Sequence, residues 1–250
     1  MQLRQVRRKI AKEFGDSIVR IKASIPNNKI NVGTGFFVSN DGVLLTCNHI
    51  VSYFETDQNG NVIQRYSPNI KVDTTKWGTL TAKIIHDLSS THPLFEDYAI
   101  LKVDINNVRG IPLCDPNALQ PGDDVLILGH PFGLSQLCIT SGIVSTKYRS
   151  SSPFNTMILL DLIRIDGSVN KGNSGGPLID LFNEIAVGIV SLRLGDISEQ
   201  IERLKQKNNV PAYLIDALEA SNKFINVGIG EAISIRYALN ELRELDINLP

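Results

Sequence analysis

A serine among glycines stands out in the second half of the sequence. The stretch GNSGGPL begins at Gly172 and contains Ser174. Such a segment either forms a tight turn or presents the serine hydroxyl for chemistry. A serine hydroxyl is a weak nucleophile until a base takes its proton, and histidine is the usual base because its pKa lies near neutral pH. A histidine, and a carboxylate that orients it, must therefore be sought elsewhere in the chain.

The sequence contains four histidines, and one of them directly follows an apolar, strand-like segment. This residue is His49, in LLTCNHIV, and we take it as the candidate general base. His130 lies in the turn GHPFG, whereas His86 and His92 flank a polar loop. A histidine beside a strand is more often structural than catalytic, so its position alone does not decide its role.

The candidate carboxylate is Asp97, which begins the apolar segment DYAILKV. Asp87, at the head of DLSSTHP, is a weaker alternative. In chain order, His49, Asp97 and Ser174 supply a base, an orienting acid and a nucleophile. Each of these residues is unremarkable by itself, but together with GNSGGPL they indicate acyl transfer to a serine.

Most of the sequence reads as short strands separated by turn residues. The predicted strands cover residues 17–25, 31–39, 42–46, 78–86, 98–105, 124–129, 137–148, 156–165 and 184–192. A proline-rich segment, 111–124, separates the two halves. Since strands and helices do not alternate, we predict an all-β sandwich or barrel architecture.

Helices are predicted at three places. Apolar residues recur at helical spacing in a basic N-terminal segment, 1–14, and the segments 196–224 and 235–245 are also helical in pattern. We therefore predict one domain, 1–250. It would comprise an N-terminal lobe (16–110), a C-terminal lobe (118–234) with a helical insertion (196–224), and a C-terminal helix (235–250).

Composition excludes several classes of protein. The net charge of −1 predicts neither nucleic-acid nor membrane binding, although the basic N-terminal helix leaves an adaptor role open. No signal peptide or membrane-spanning run is apparent. The odd, sparse set Cys47, Cys114 and Cys138 predicts no disulfide framework and favours a reducing, cytoplasmic location. The histidines and cysteines lack zinc-ligand spacing, so we expect no metal and no cofactor.

Four segments together resemble the trypsin-fold serine proteases, and most closely the HtrA-like (Deg-type) group. GTGFFVSNDGVLLTCNHIV resembles the segment that ends at the catalytic histidine, DYAILKV the aspartate strand, and IDGSVNKGNSGGPL the nucleophile loop. GHPFGLSQLCITSGIVS resembles a further turn and strand, with His130 where asparagine is usual. The resemblance covers most of the chain. It implies two six-stranded β-barrels with the active site between them, in a serine endopeptidase that forms an acyl-enzyme.

The resemblance also implies roles for residues around the triad. The oxyanion hole would lie at Gly172, Asn173 and Ser174, with the backbone N–H groups of Gly172 and Ser174 as its donors. Ser191 would donate a hydrogen bond to the aspartate. Asn173 stands where zymogen-activated relatives carry aspartate, so we expect control by loop ordering rather than by cleavage of the N-terminus.

The specificity pocket is expected to have Ser168 at its base and Ser191, Leu192 and Arg193 along one wall. Because Ser168 is uncharged, we expect cleavage after aliphatic or medium apolar residues rather than after lysine or arginine. The insertion 196–224 adjoins this wall. It is either a surface hairpin or a lid or docking element that gates the cleft.

The chain ends soon after its last helix, so no PDZ domain of the HtrA type is expected in it. We expect a protein or peptide substrate, an activating protein partner, and homo-oligomers such as HtrA-like relatives form. The alternative is a catalytically silent or partner-activated peptide-binding subunit of a larger complex.

Overall fold

Two closed, six-stranded antiparallel β-barrels make up the protein, which confirms the predicted fold class. The computed structural model describes residues 3–58, 62–86, 96–152, 157–193, 201, 204–205, 210–224 and 228–250. The predicted insertion 196–224 therefore lies partly outside the described residues, as do His92 and Asp87.

The first barrel is closed in the order β1-β2-β3-β8-β7-β6. Its strands are β1 (Ile18–Ile25), β2 (Lys29–Phe37), β3 (Val43–Thr46), β6 (Ile70–Thr74), β7 (Gly78–Ile84) and β8 (Ala99–Lys102). A separate hairpin of β4 (Ser52–Thr56) and β5 (Val62–Tyr66) follows the short helix α2 (Asn48–Val51). The β-branched and apolar residues of these strands turn inward and fill the barrel with buried apolar side chains.

The second barrel is closed in the order β10-β11-β14-β13-β12-β9. Its strands are β9 (Asp124–Gly129), β10 (Cys138–Ser151), β11 (Leu159–Asp166), β12 (Pro177–Asp180), β13 (Ile185–Arg193) and β14 (Ile229–Ser234). The nucleophile loop joins β11 to β12. The C-terminal end of this loop is anchored in the sheet, because β12 pairs with both β9 and β13.

Three longer helices complete the described fold: α1 (Leu3–Phe14), α3 (Ala212–Phe224) and α4 (Arg236–Glu244). In α1, Ile10 and Phe14 are buried, and Lys9 forms an ion pair of 2.6 Å with Glu184 of the second barrel. The basic helix therefore packs on the protein. None of the helices in the described ranges is long and apolar enough to cross a membrane.

One apolar cluster continues from the first barrel into the second. Leu126, Leu128, Ile179 and Ile189 of the second barrel belong to the same buried cluster as the side chains that fill the first barrel. The interior of the second barrel forms a smaller cluster of its own. The shared cluster fixes the two barrels against each other, and thereby the cleft between them.

Replacing Leu128, which is completely buried, tests the role of this shared cluster. We expect Leu128→Ala to lower the free energy of unfolding by about 2–5 kcal/mol, because it removes buried methyl groups and leaves a cavity. Chemical denaturation measures the effect. Phe182→Ala serves as the control, since that side chain is 92% exposed, and it should change stability by no more than about 0.5 kcal/mol. Equal losses in the two variants would contradict the assignment.

Candidate active site

His49 and Asp97 meet between the two barrels. His49 lies in α2, directly after β3, and its ring Nδ1 is 2.8 Å from Oδ2 of Asp97. The backbone N–H of His49 donates to Oδ1 of the same carboxylate over 2.9 Å. The carboxylate is thereby bonded to both the ring and the main chain of His49, which fixes the orientation of the imidazole.

Ser191, on β13 of the second barrel, donates a further hydrogen bond of 2.5 Å to Oδ2 of Asp97. The Asp97 side chain is only 6% exposed, whereas that of His49 is 37% exposed and faces the cleft. Asp97 itself adopts a left-handed backbone conformation with φ +45° just before β8. A non-glycine residue held in this region is strained, and such strain is concentrated at functional sites.

The pKa values of the pair move in opposite directions. Burial by itself lowers the pKa of His49, but the charge of Asp97 and their hydrogen bond outweigh it and raise that pKa above its usual value. Burial by itself raises the pKa of Asp97, but the charge and hydrogen bonds of His49 and the Ser191 hydroxyl bring it below its usual value. The arrangement therefore favours an ionised Asp97 and stabilises a protonated imidazole.

Ser174 lies in the same cavity as His49 and Asp97. Its hydroxyl donates to the carbonyl oxygen of Ser191 over 3.2 Å. Within the described part of the chain, no hydrogen bond joins the Ser174 hydroxyl to His49. The nucleophile and the base thus share a site but are not engaged with each other in this conformation.

The glycines of the nucleophile loop are required by close backbone contacts. Gly172 and Gly175 have φ values of +98° and +87°. A Cβ atom on Gly172 would lie 2.4 Å from the carbonyl oxygen of His130, and one on Gly175 would lie 2.1 Å from that of Thr34. Any other residue would therefore be both strained and blocked at these positions. Gly175 allows the loop to pack against the first barrel, and Gly172 allows it to pack against the turn that contains His130, while the loop presents Ser174.

Thr34 of β2 fastens this loop to the first barrel. Its backbone N–H donates to the carbonyl of Ser174 over 2.8 Å, and its hydroxyl donates to the carbonyl of Gly172 over 2.6 Å. The same hydroxyl accepts from the N–H of His130, and Thr46 donates to the carbonyl of Thr34 over 2.7 Å. Sequence analysis missed this role. The available signal was a polar residue between two glycines within a strand, which marks a close backbone approach.

The N–H groups of Gly172 and Ser174 have no hydrogen-bond acceptor in the described ranges of the chain. The N–H of Asn173, in contrast, donates to the carbonyl of Asn170 over 3.0 Å, so it is already bonded within the loop. The turn that contains His130 supports the loop from behind, since the N–H of Phe132 donates to the carbonyl of Lys171. Two backbone donors are thus left available at the nucleophile.

The cleft is a cavity of about 670 Å³ that includes His49, Asp97, Gly172, Ser174 and Ser191. The structure does not bring Ser168 into it. The Ser168 side chain is exposed, because the chain after β11 turns Val169 inward instead. Leu192 and Arg193 lie on β13, but their side chains fall outside the described residues.

Cys47 lies next to the site and is completely buried. With His49 and Asp97 it forms the one group among the described residues whose donor atoms are close enough for a shared metal ion. Burial and the charge of Asp97 raise the pKa of the Cys47 thiol well above its usual range, and the thiol donates to the carbonyl of Val190. A protonated, buried thiol is a poor ligand and a poor nucleophile.

A family profile described as the trypsin-like peptidase domain matches residues 33–189, a range that contains His49, Asp97 and Ser174. This chain belongs to the trypsin-like peptidase family. The match starts within β2 and ends within β13, so it includes the triad residues of this trypsin-like peptidase but not β14, which also lines the cleft.

Curated relatives of this trypsin-like peptidase include a probable periplasmic serine endoprotease, DegP-like, from Pseudomonas putida. It is 38% identical over 161 residues, which cover 64% of this chain and 29% of the relative. The serine protease HTRA1A of Danio rerio is 35% identical over 164 residues, which cover 65% of this chain and 30% of the relative. The aligned part of the chain thus spans less than a third of the length of these relatives.

The cytoplasmic location expected from the cysteines is contradicted by these relatives, several of which are named periplasmic. Cys47, Cys114 and Cys138 are indeed unpaired. However, a chain that buries a large apolar core does not depend on disulfides in an oxidising compartment, so their absence does not identify the compartment.

Solved structures share the fold of this trypsin-like peptidase. An HtrA-type protease, AlgW, determined with a tripeptide, aligns with a TM-score of 0.68 at 22% identity and covers 96% of this chain and 63% of its own. The active form of the Rv3671c protease from M. tuberculosis aligns with a TM-score of 0.69 at 22% identity, over 98% of this chain and 88% of its own. At this level of identity the comparison establishes the fold.

Thr34→Val tests the attachment of the nucleophile loop. The substitution keeps the shape of the side chain but leaves the Gly172 carbonyl and the His130 N–H without their partner. We expect the free energy of unfolding to fall by about 1–3 kcal/mol, as measured by chemical denaturation. The matched control is Thr81→Val, at an exposed position of β7, where we expect a change within about 0.5 kcal/mol. If both variants were as stable as the parent, Thr34 would not hold the loop.

Proposed function

We propose that this domain is a serine endopeptidase that uses His49, Asp97 and Ser174 as its catalytic triad. The main support is the hydrogen-bonded pair of His49 and buried Asp97 in the same cavity as Ser174. Membership of the trypsin-like peptidase family supports the same reaction. The serine protease names of the curated relatives are consistent with it.

The reaction follows from the roles of the three side chains. His49 Nε2 takes the proton of the Ser174 hydroxyl while Ser174 Oγ forms a bond to the carbonyl carbon of the substrate. Asp97 holds the ring by its Nδ1 and stabilises the imidazolium that results. The tetrahedral intermediate then expels the amine, which takes the proton from His49, and an acyl-enzyme remains. Water, activated by the same base, releases the acid and restores Ser174.

The N–H groups of Gly172 and Ser174 are the donors we propose for the oxyanion. Both lack an acceptor within the described residues, and they belong to the same tight loop. Donors of this kind act on charge that develops in the transition state, and removing one typically costs about 2.7–4 kcal/mol. Asn173 supports the loop from within, since its N–H is already bonded to Asn170.

A gated form of the proposal rests on the orientation of Ser174. Its hydroxyl donates to the Ser191 carbonyl rather than to His49, so the nucleophile must rotate about its Cα–Cβ bond before it can react. Catalytic hydrogen bonds are often formed only when a substrate is bound. We therefore propose that a substrate, or a partner that contacts the insertion 196–224, completes the triad.

The natural substrate that we propose is a protein or peptide. The solved relative AlgW is described with a tripeptide and with a decapeptide, and the cleft described here is large enough for side chains of an extended chain. The same proposal includes homo-oligomers and an activating partner. The names of the relatives favour a periplasmic setting.

Treatment with a fluorophosphonate serine probe tests the proposed nucleophile. We expect one covalent adduct on the intact protein, detected by mass spectrometry, and none on Ser174→Ala. Ser168→Ala is the matched control because that serine is exposed outside the cavity, and it should be labelled like the parent protein. Labelling of Ser174→Ala would refute the assignment. Labelling that requires an added peptide would support the gated form.

The pH dependence of the reaction tests the roles of His49 and Asp97. Since the base must be neutral, kcat/KM should rise with pH through the pKa of His49. Asp97 raises that pKa, so the midpoint is expected above the usual histidine value of about 6.5. In Asp97→Asn the midpoint should move to lower pH, and kcat should fall by about 10⁴-fold. The control Asp41→Asn, outside the cavity, should leave the midpoint unchanged.

A further inference from the structure

The cavity that contains Ser174 also contains a buried carboxylate that the proposed reaction does not use. Glu231, on β14, lines this cavity and is 5% exposed. It is the partner of Arg164 in the register between β11 and β14. A charged residue that is almost fully buried must be paired, so its surroundings indicate its purpose.

Among the described residues, every hydrogen bond to the Glu231 side chain reaches the same one of its two oxygens. Oε1 accepts from Arg164 Nε at 2.9 Å, from Arg164 Nη2 at 2.7 Å, and from the hydroxyl of Tyr148. Burial and the hydrogen bond to Glu231 raise the pKa of Tyr148 to about 12, so its hydroxyl keeps its proton. Oε2 accepts no hydrogen bond from any described residue and is not among the fully enclosed polar atoms without a partner.

Beside polar residues such as Ser150, Asn170 and Lys171, the cavity has four buried apolar side chains in its lining. Leu160, Leu162, Val169 and Ile233 line it, and each of them is at most 5% exposed. A side chain that entered from the direction of Ser174 would therefore contact apolar groups, with Glu231 Oε2 as a hydrogen-bond acceptor in the wall. A pocket built in this way orients a ligand through a few polar groups in an apolar lining.

The charge balance between Glu231 and Arg164 determines which substrate side chain the pocket accepts. Arg164 already neutralises Glu231, so a lysine or arginine of a substrate would bring an unbalanced charge into a buried site. A purely aliphatic side chain would seal Oε2 from water without giving it a partner, which is also unfavourable. An uncharged group that donates a hydrogen bond satisfies Oε2 and leaves the ion pair intact.

We propose that Glu231 determines specificity and selects substrates whose residue before the cleaved bond has an uncharged side chain that donates a hydrogen bond, an amide or a hydroxyl. This inference rests on the proposed peptidase function and revises the expectation of aliphatic residues at this position. Arg164 and Tyr148 are positioning residues, since they act on the substrate through Glu231.

Binding to the Ser174→Ala protein tests the pocket without requiring catalysis. The ligands are two matched pairs of tripeptides of the form Ala-Ala-Xaa. In the first pair the last residue is Gln or its near-isostere Met, and in the second pair it is Thr or its isostere Val. We expect the Gln peptide to bind at least about tenfold more tightly than the Met peptide, and the Thr peptide at least about tenfold more tightly than the Val peptide. The reason is that a buried acceptor rejects a side chain that leaves it without a hydrogen bond. Calorimetry measures the dissociation constants.

Two further proteins, both in the Ser174→Ala background, connect the preference to Glu231. Arg164→Leu with Glu231→Leu removes the ion pair and should abolish or invert the preference. Glu231→Gln keeps the shape of the side chain and a hydrogen-bond acceptor for Arg164 and Tyr148. It therefore tests the role of Glu231 even if the double variant does not fold. With Glu231→Gln, binding of a tripeptide ending in Glu should improve at least about tenfold relative to the one ending in Gln, because a carboxylate is no longer repelled.

The control removes another ion pair outside the cavity, by Lys9→Leu with Glu184→Asn, and should keep the parent's preference. Equal or tighter binding of Met and Val, tighter binding of a peptide ending in Lys, or binding of none of the peptides would overturn the inference. These outcomes are independent of the proposed reaction. Failure of the reaction would instead appear as absence of fluorophosphonate labelling at Ser174 in the parent protein, both without and with an added peptide.

Discussion

The hydrogen bonds that Thr34 makes across the barrel interface are the constraint on which the site depends. A strand of the first barrel bonds to the carbonyls of Gly172 and Ser174, which belong to a loop of the second. The loop can approach that strand only because Gly175 has no Cβ, and it can pass the turn that contains His130 only because Gly172 has none. The shared apolar cluster keeps the barrels at the distance that these bonds require. The position of Ser174 therefore depends on both barrels.

The cleft also contains two buried carboxylates in different settings. Asp97 is bonded to His49 and Ser191, which keep it ionised and leave the imidazole partly exposed to the cleft. Glu231 is paired with Arg164, so it contributes an acceptor to the wall without net charge. Asp97 stabilises the positive charge that forms on His49 in the proposed reaction. The ion pair of Glu231 and Arg164 has no net charge, so it adds a hydrogen-bond acceptor to the cleft without opposing that charge.

The fold was predictable where strands are apolar and bounded by turn residues. Two six-stranded barrels were expected, and β1, β2, β9 and β13 lie close to their predicted positions. The strands that sequence analysis did not predict are short or mixed in polarity: β4, β5, β6, β12 and β14. For example, β12 begins at Pro177 and has only four residues, so its sequence alone does not predict a strand. It is extended because it pairs with β9 and β13.

By itself, the sequence determined the kind of chemistry, because a nucleophile, a base and an acid in one order, with glycines around the serine, restrict the reaction to a few types. Only the tertiary structure decided which side chains face the cleft. It turned Ser168 outward and Val169 inward, and it brought Glu231 into the cavity next to Arg164. The physical reason is that orientation depends on strand register and on partners far away in the chain, neither of which a local pattern specifies.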